Sequence, residues 1–273
     1  MNRLDLTAEV SRILGDLLLE GTIDTASGSG IADTDIIFPN AGQLRGKEVY
    51  IHTTITGSQR QARIIATYPG AGSLSVTPSF NPVPTVGDQY FIFDRFRYSD
   101  IEGALDSAIR RAREIHLIDG LGTLSLVATQ WEYAVPSGLR FIHSLRVVPS
   151  GNTDFELDDT WPIERYAWAV KTNPNGSRII SFDPRFIDVA DMDNDIVQVL
   201  GHRRPNDMTV PTVESEIPEN FLINHAAAIL CMRRLGEGAE WIERYKYFRG
   251  ESLRNEGILN HYPRPNSVLC ENI

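Results

Sequence analysis

Apolar residues in this 273-residue chain follow two rhythms that alternate along its length, one of three to four residues and one of two. The first lines up one face of a helix and the second one face of a strand, so each switch marks a change of element. The resulting order is helix, strands, helix, strands, helix. It excludes an all-α or all-β chain and predicts an α+β fold: a helical bundle core with two β-rich insertions, each a small barrel or sandwich, and an extended C-terminal arm.

Residues 1–20 carry Leu6, Val10, Ile13, Leu14, Leu17 and Leu18 at helical spacing, with Thr7 read as the N-cap and Gly21 as the stop. Residues 21–97 form the first β module. Its strands are read at 48–52, 62–68, 73–77 and 89–93, separated by turn signals such as Pro69-Gly70 and Gly87-Asp88, while Gly28-Ser29-Gly30-Ile31-Ala32-Asp33 is read as a flexible loop. Residues 98–121 hold a central helix. Ser99-Asp100-Ile101-Glu102 has the pattern of a capping box, and Ile101, Leu105, Ala108, Ile109, Ala112 and Ile115 form the apolar stripe. Residues 122–214 form the second β module, in which Asn173-Pro174-Asn175-Gly176 marks a tight hairpin. Residues 215–254 are helical from Pro218 with a break at Gly236 and Gly238, and residues 255–273, without periodicity, are the arm.

Composition narrows the function classes. Apolar residues make up 42% and charged residues 23%, values of an ordinary globular protein. The longest apolar runs, such as Ala226 to Met232, are far short of a bilayer span, and Met1-Asn2-Arg3-Leu4-Asp5 lacks the apolar core of a secretory signal. No membrane contact is expected, and the chain is placed in the cytoplasm when made. A net charge of −10 argues against sequence-independent nucleic-acid binding, which needs a basic surface to neutralise phosphates. The acid excess is local: residues 150–200 hold ten acidic residues against four basic ones. Basic charge is almost all arginine, which suits planar ion pairs at interfaces.

Catalytic signatures are missing from the sequence. There is no Gly-x-Ser-x-Gly elbow and no Gly-rich loop with a lysine to cradle phosphate, so no enzyme, catalytic residue or cofactor is expected. Asp191-Met192-Asp193-Asn194-Asp195 opens like a calcium loop, but Ile196 stands where glycine is required and His202 where a bidentate glutamate is. The six histidines, at 52, 116, 143, 202, 225 and 261, are scattered, and Cys231 and Cys270 have no partner at metal-ligand spacing. No metal is expected, and both thiols are read as free. Exposed tryptophans at Trp131, Trp161 and Trp168 would instead suit a β module that binds glycans or another partner.

Several phrases point to a family. They are Gly46-Lys47-Glu48-Val49-Tyr50-Ile51, Arg63-Ile64-Ile65-Ala66-Thr67-Tyr68, Gly72 to Phe80, Gly87-Asp88-Gln89-Tyr90, Tyr133 to Leu139, Arg203-Arg204-Pro205, and Ile217-Pro218-Glu219 before an Ala-rich helix. With the element order, these make the chain similar to the head-to-tail connector (neck adaptor) proteins of tailed bacteriophages. The resemblance implies a non-enzymatic virion protein in the neck, assembled in the host cytoplasm as a ring of identical subunits, commonly twelve, under the portal. It implies the portal and other tail or neck proteins as partners, with DNA passing through unread. The chain departs from the smallest adaptors, which are mostly helical, so another neck or tail component stays open. Within this picture Tyr262, Arg264, Val268 and Leu269 of the arm are candidate partner-binding residues. Asp158, Asp159, Asp191 and Asp193 are candidate acidic residues of the channel wall, where repulsion would keep DNA from sticking.

Overall fold

The computed structural model describes residues 1–52, 61–70, 72–148, 160–209, 213–259 and 268–269. The chain divides into two compact units, one of residues 1–111 and 208–256 and the other of 112–207 and 257–273.

Unit 1 opens with helix α1 (Arg3–Ile13), capped by the Asn2 side chain, which accepts from the Asp5 N–H at 2.9 Å. Thr7, expected as the cap, lies inside the helix and donates its hydroxyl to the Arg3 carbonyl. The helix stops before Gly15, whose φ of +66° is a left-handed conformation that other residues resist. Leu17 and Leu18 therefore leave the helical pattern and enter strand β1 (Leu17–Thr22).

Strands β2 (Thr25–Ser27), β3 (Gly30–Ala32), β4 (Glu48–His52), β5 (Gln61–Gly70), β6 (Ser73–Thr77) and β7 (Gln89–Phe93) complete an antiparallel sheet in the order β1-β7-β4-β5-β6-β3-β2. Its two outer strands are joined by Ile23 and Asp24 alone, and both residues continue the ladders, Ile23 to Asp88 and Asp24 to Ala32. Edges that are two halves of one bent strand require the sheet to close on itself as a barrel, which removes the exposed edges. Ile23, Val49, Ile51, Ile65, Tyr68, Val76, Tyr90 and Ile92 are among the buried side chains of its core. Residues 28–33, read as a flexible loop, are corrected: Gly28 and Ser29 make the turn, and Gly30–Ala32 is strand β3, paired with β2 and β6.

Strands β4 and β7 are buried on both faces. Tyr50, Phe91 and Phe93 point away from the barrel interior, and Tyr98, the first residue of helix α2 (Tyr98–Ile115), stacks on Tyr50 with ring centroids 3.6 Å apart. The expected capping box is not formed. Glu102 is taken by Arg3 and Thr7 of α1, and the start of α2 is held by carboxylates from elsewhere: Glu48 accepts from the Tyr98 N–H, and Asp16 from those of Arg95 and Phe96. Arg3, 7% exposed, lies between Glu102 and Asp106 and ties α1 to α2. Helices α3 (Glu219–Arg233) and α4 (Ala239–Leu259) follow, with the expected break between them. Trp241 of α4 meets Phe96 edge to face at 5.8 Å.

Unit 2 is a sandwich. One sheet has the order β11-β10-β14-β8, built from β8 (Ile118–Ser125), β10 (Leu139–Val148), β11 (Trp161–Ile163) and β14 (Ile196–Arg203). The other has the order β12-β13-β9, from β9 (Glu132–Ala134), β12 (Trp168–Thr172) and β13 (Arg178–Phe182). Leu145, Val147, Val197 and Val199 of the first share one buried core with Tyr133, Trp168, Ile180 and Phe182 of the second. Register shifts beside Phe141 and Ser144 let Leu139, Ile142 and Leu145, three apart, all turn inward.

The helical bundle core is thus overturned. Most of the regular structure is sheet, four α-helices occur among the described residues, and one buried apolar core lies inside a barrel and another between two sheets, in addition to the side chains that the helices bury, such as Leu6, Ile101 and Phe221. The β segments are not insertions upon helices, because each closes a core of its own. The arm begins later than expected, and its residues 260–267 and 270–273 lie outside the described residues. Helix α4 continues to Leu259, which is buried, and Val268–Leu269 form a strand, β15, paired antiparallel with Ile142 and Phe141 of β10.

Candidate functional site

Among the described residues no group of three or more His, Cys, Asp or Glu side chains is arranged to hold a metal ion, and no helix is long and apolar enough to cross a membrane. Cys231 is a free thiol buried in α3, and burial pushes its pKa up to about 11. His225 of α3 shares a hydrogen bond of 2.8 Å with the Ser252 hydroxyl, and burial holds its imidazole below the ordinary pKa. His202, fully buried in β14, has its Nδ1 3.3 Å from the Asp119 carboxylate. The buried carboxylates Asp16 and Glu48 are both raised above the usual range, first by desolvation, against the N–H groups they accept from.

Of the acidic residues assigned to a channel wall, Asp158 and Asp159 lie outside the described residues. Asp191 and Asp193 are exposed in the turn before β14, where Asp193 accepts from the Ala128 N–H. Tyr262 and Arg264 are likewise outside the described residues. Val268 and Leu269 pair with β10 of their own chain. The three tryptophans separate: Trp168 is 3% exposed in the sandwich core, Trp131 packs against that core, and Trp161 is 50% exposed.

The surface that sequence periodicity did not single out is the outer face of α4. Trp241, Phe248 and Ser252 turn inward, whereas Ile242, Tyr247 and Leu253 are 40%, 63% and 51% exposed. At 3.6 residues per turn Ile242 and Leu253 share a line along the helix, and Tyr247 stands roughly 140° round from Ile242. Apolar side chains therefore flank the buried stripe on both sides. Gly250 lies between the flanks, with no heavy atom within 4 Å of where a Cβ would stand. Glu243 and Lys246 on the same face make no ion pair among the described residues, while Glu240 is paired with Arg244 and Glu251 with Arg254. A helical-wheel separation of Ile242 from Trp241 would have exposed this second stripe.

No protein-family model matches the chain, and no curated protein matches it.

Proposed function

We propose that this chain is a structural virion component, a ring-forming head-to-tail adaptor that links the portal of a tailed phage to its tail. The carrying observation is the pair of apolar flanks on α4. A closed ring is built from head-to-tail contacts in which each subunit offers two different patches, and a helix exposed on two lines supplies both from one element. Tyr247, Leu253 and Ile242 are side chains of the kind that anchor protein interfaces, and Gly250 leaves room for a neighbouring helix to approach closely. Glu243 and Lys246 give the face unpaired charges of both signs, which a second copy can complement. The phrases that resemble those of neck adaptors suggest the same reading.

The glycan-binding alternative loses Trp168 to the core and Trp131 to packing. The test is sedimentation of the variant Ile242→Glu/Leu253→Glu beside the parent chain. The parent is expected to sediment as a multi-subunit particle and the variant as a folded monomer. A parent that stays monomeric at high concentration with portal present, or a variant that assembles normally, contradicts the proposal.

A further inference from the structure

Unit 2 carries a second surface that the ring does not use. Trp161 and Ile163 of β11, Tyr166, Phe186 and Met192 enclose a hollow of about 180 Å³, with Glu164 as its charged lining residue. Trp161, Tyr166 and Phe186 are 50%, 64% and 53% exposed, an expense in water for three large rings gathered round one hollow. Small-molecule sites run to roughly 300–1,000 Å³, so this one is too small for a cofactor and has the scale of a single side chain. The Tyr166 and Phe186 rings meet at 72° with centroids 4.9 Å apart. They make the walls of a notch, where a sugar would need a flat platform.

Charge states what fits beside that side chain. Glu164 lines the notch, Asp188 follows Ile187 of its wall, and Asp191 and Asp193 flank Met192; all four are exposed and make no ion pair among the described residues. The cations that adjoin the lining are already engaged, Arg146 by donating to the Thr160 hydroxyl and carbonyl. Arg185 is bridged to Asp183 at 2.6 Å, and Arg165 lies 4.1 Å over the Trp168 ring while donating to the Trp168 carbonyl. Among the described residues that line the notch or adjoin its lining in sequence, acidic side chains outnumber basic ones. Arg185 also sits 5.4 Å from the Phe186 ring, so the chain's own arginines already occupy aromatic faces here, as a partner's would.

We infer that the notch is a docking site for a partner protein, entered by one large aliphatic side chain of an exposed segment that carries arginine or lysine on either side. The apolar side chain fills the hollow, and the cations meet Glu164, Asp188, Asp191 and Asp193. Asp191 and Asp193 then attract a protein partner, a task different from repelling DNA along a channel. The inference does not depend on the ring.

It is tested on the full chain by fluorescence anisotropy of a labelled pentapeptide, Arg-Leu-Arg-Leu-Arg, with Glu-Leu-Glu-Leu-Glu as the charge-reversed control. Saturable binding of the basic peptide is expected, weakening at least about tenfold between about 50 mM and about 500 mM salt. Trp161→Ala or Phe186→Ala should abolish it, and Asp188→Asn/Asp191→Asn/Asp193→Asn should weaken it about tenfold. All five positions are exposed, and unchanged thermal melting of each variant separates lost binding from lost folding. No saturation by the basic peptide at millimolar concentration, equal binding of the acidic one, or full binding by the Trp161→Ala and Phe186→Ala variants overturns the proposal. Displacement of the peptide by maltotriose overturns it in favour of a glycan.

Discussion

Removing one oxygen atom from the barrel core should cost unit 1 a measurable part of its stability. Tyr90 of β7 is fully buried and donates its hydroxyl to Asp33 Oδ2 at 2.6 Å, while Asp33, 4% exposed, accepts from the Asp35 N–H through its other oxygen. Tyr90→Phe keeps the ring and deletes the donor, leaving a desolvated carboxylate oxygen without it. Hydrogen bonds to charged groups contribute about 1.5–3 kcal/mol, and a carboxylate has no apolar way to relax the loss. A domain of this size loses about 2–4 °C of melting temperature per kcal/mol, so a fall of roughly 3–12 °C is expected by calorimetry. The pH dependence carries a sign. Burial, then the bond to Asp33, holds the Tyr90 phenol far above its usual pKa. A raised folded value means the stabilisation is whole below the unfolded pKa near 10 and is lost as pH rises above it. The gap between parent and Tyr90→Phe should therefore be full at neutral pH and shrink in alkali. A loss under about 0.5 kcal/mol by urea denaturation, or a gap that widens with alkali, would refute the reasoning.

Four further outcomes follow from the same geometry. Glu48 and Asp16 are raised by burial, so the folded form holds their protons longer and stability should fall as pH rises from the ordinary carboxylate range; Glu48→Gln, whose carbonyl oxygen can still accept from Tyr98, should flatten that fall in urea titrations across acidic pH. Arg3→Met strands the Glu102 carboxylate, 13% exposed, and should cost about 3 kcal/mol, most of it recovered in Arg3→Met/Glu102→Gln when measured by chemical denaturation. Truncation after residue 255 removes buried Leu259 and should lose about 2 kcal/mol that truncation after residue 259 keeps, as the two melting curves will show. Cys231, with its thiol pushed up to about 11, should resist a thiol reagent at pH 8 until the chain is unfolded; rapid labelling of the native protein would contradict that burial.

The sequence was most readable where an element carries its own period between clear turn or capping signals. Helix α2 and strands β4, β6, β7 and β13 lie where their periods place them, α2 with the inward set Ile101, Leu105, Ala108 and Ile109. Long-range geometry was not readable. Leu17 and Leu18 continue the rhythm of α1, yet β7 recruits them into the barrel wall. Gly120 was placed with the central helix and Gly122 at the start of the second β module, but both lie within β8, where a Cβ would stand 2.7 Å from the Leu139 side chain and 2.3 Å from Pro136. Their role is close packing, which leaves no periodic trace. The bundle was inferred from helices that needed partners, and the partner for Tyr98 turned out to be Tyr50 on a barrel strand. The candidate surfaces divide similarly. Trp161 was legible as a tryptophan in a β module, but Tyr166 and Phe186 come from turns and meet it only through the tertiary fold. On α4, Trp241 and Ile242 are neighbours in sequence that the structure separates into an inner and an outer face.

We propose that copies of this chain close into a ring through α4. Electron microscopy of the purified chain, alone and mixed with portal, tests it most directly. The account predicts closed rings of uniform subunit number, with α4 of neighbouring copies at the seam. Isolated single subunits in both samples, or rings whose seams lie away from α4, would contradict it.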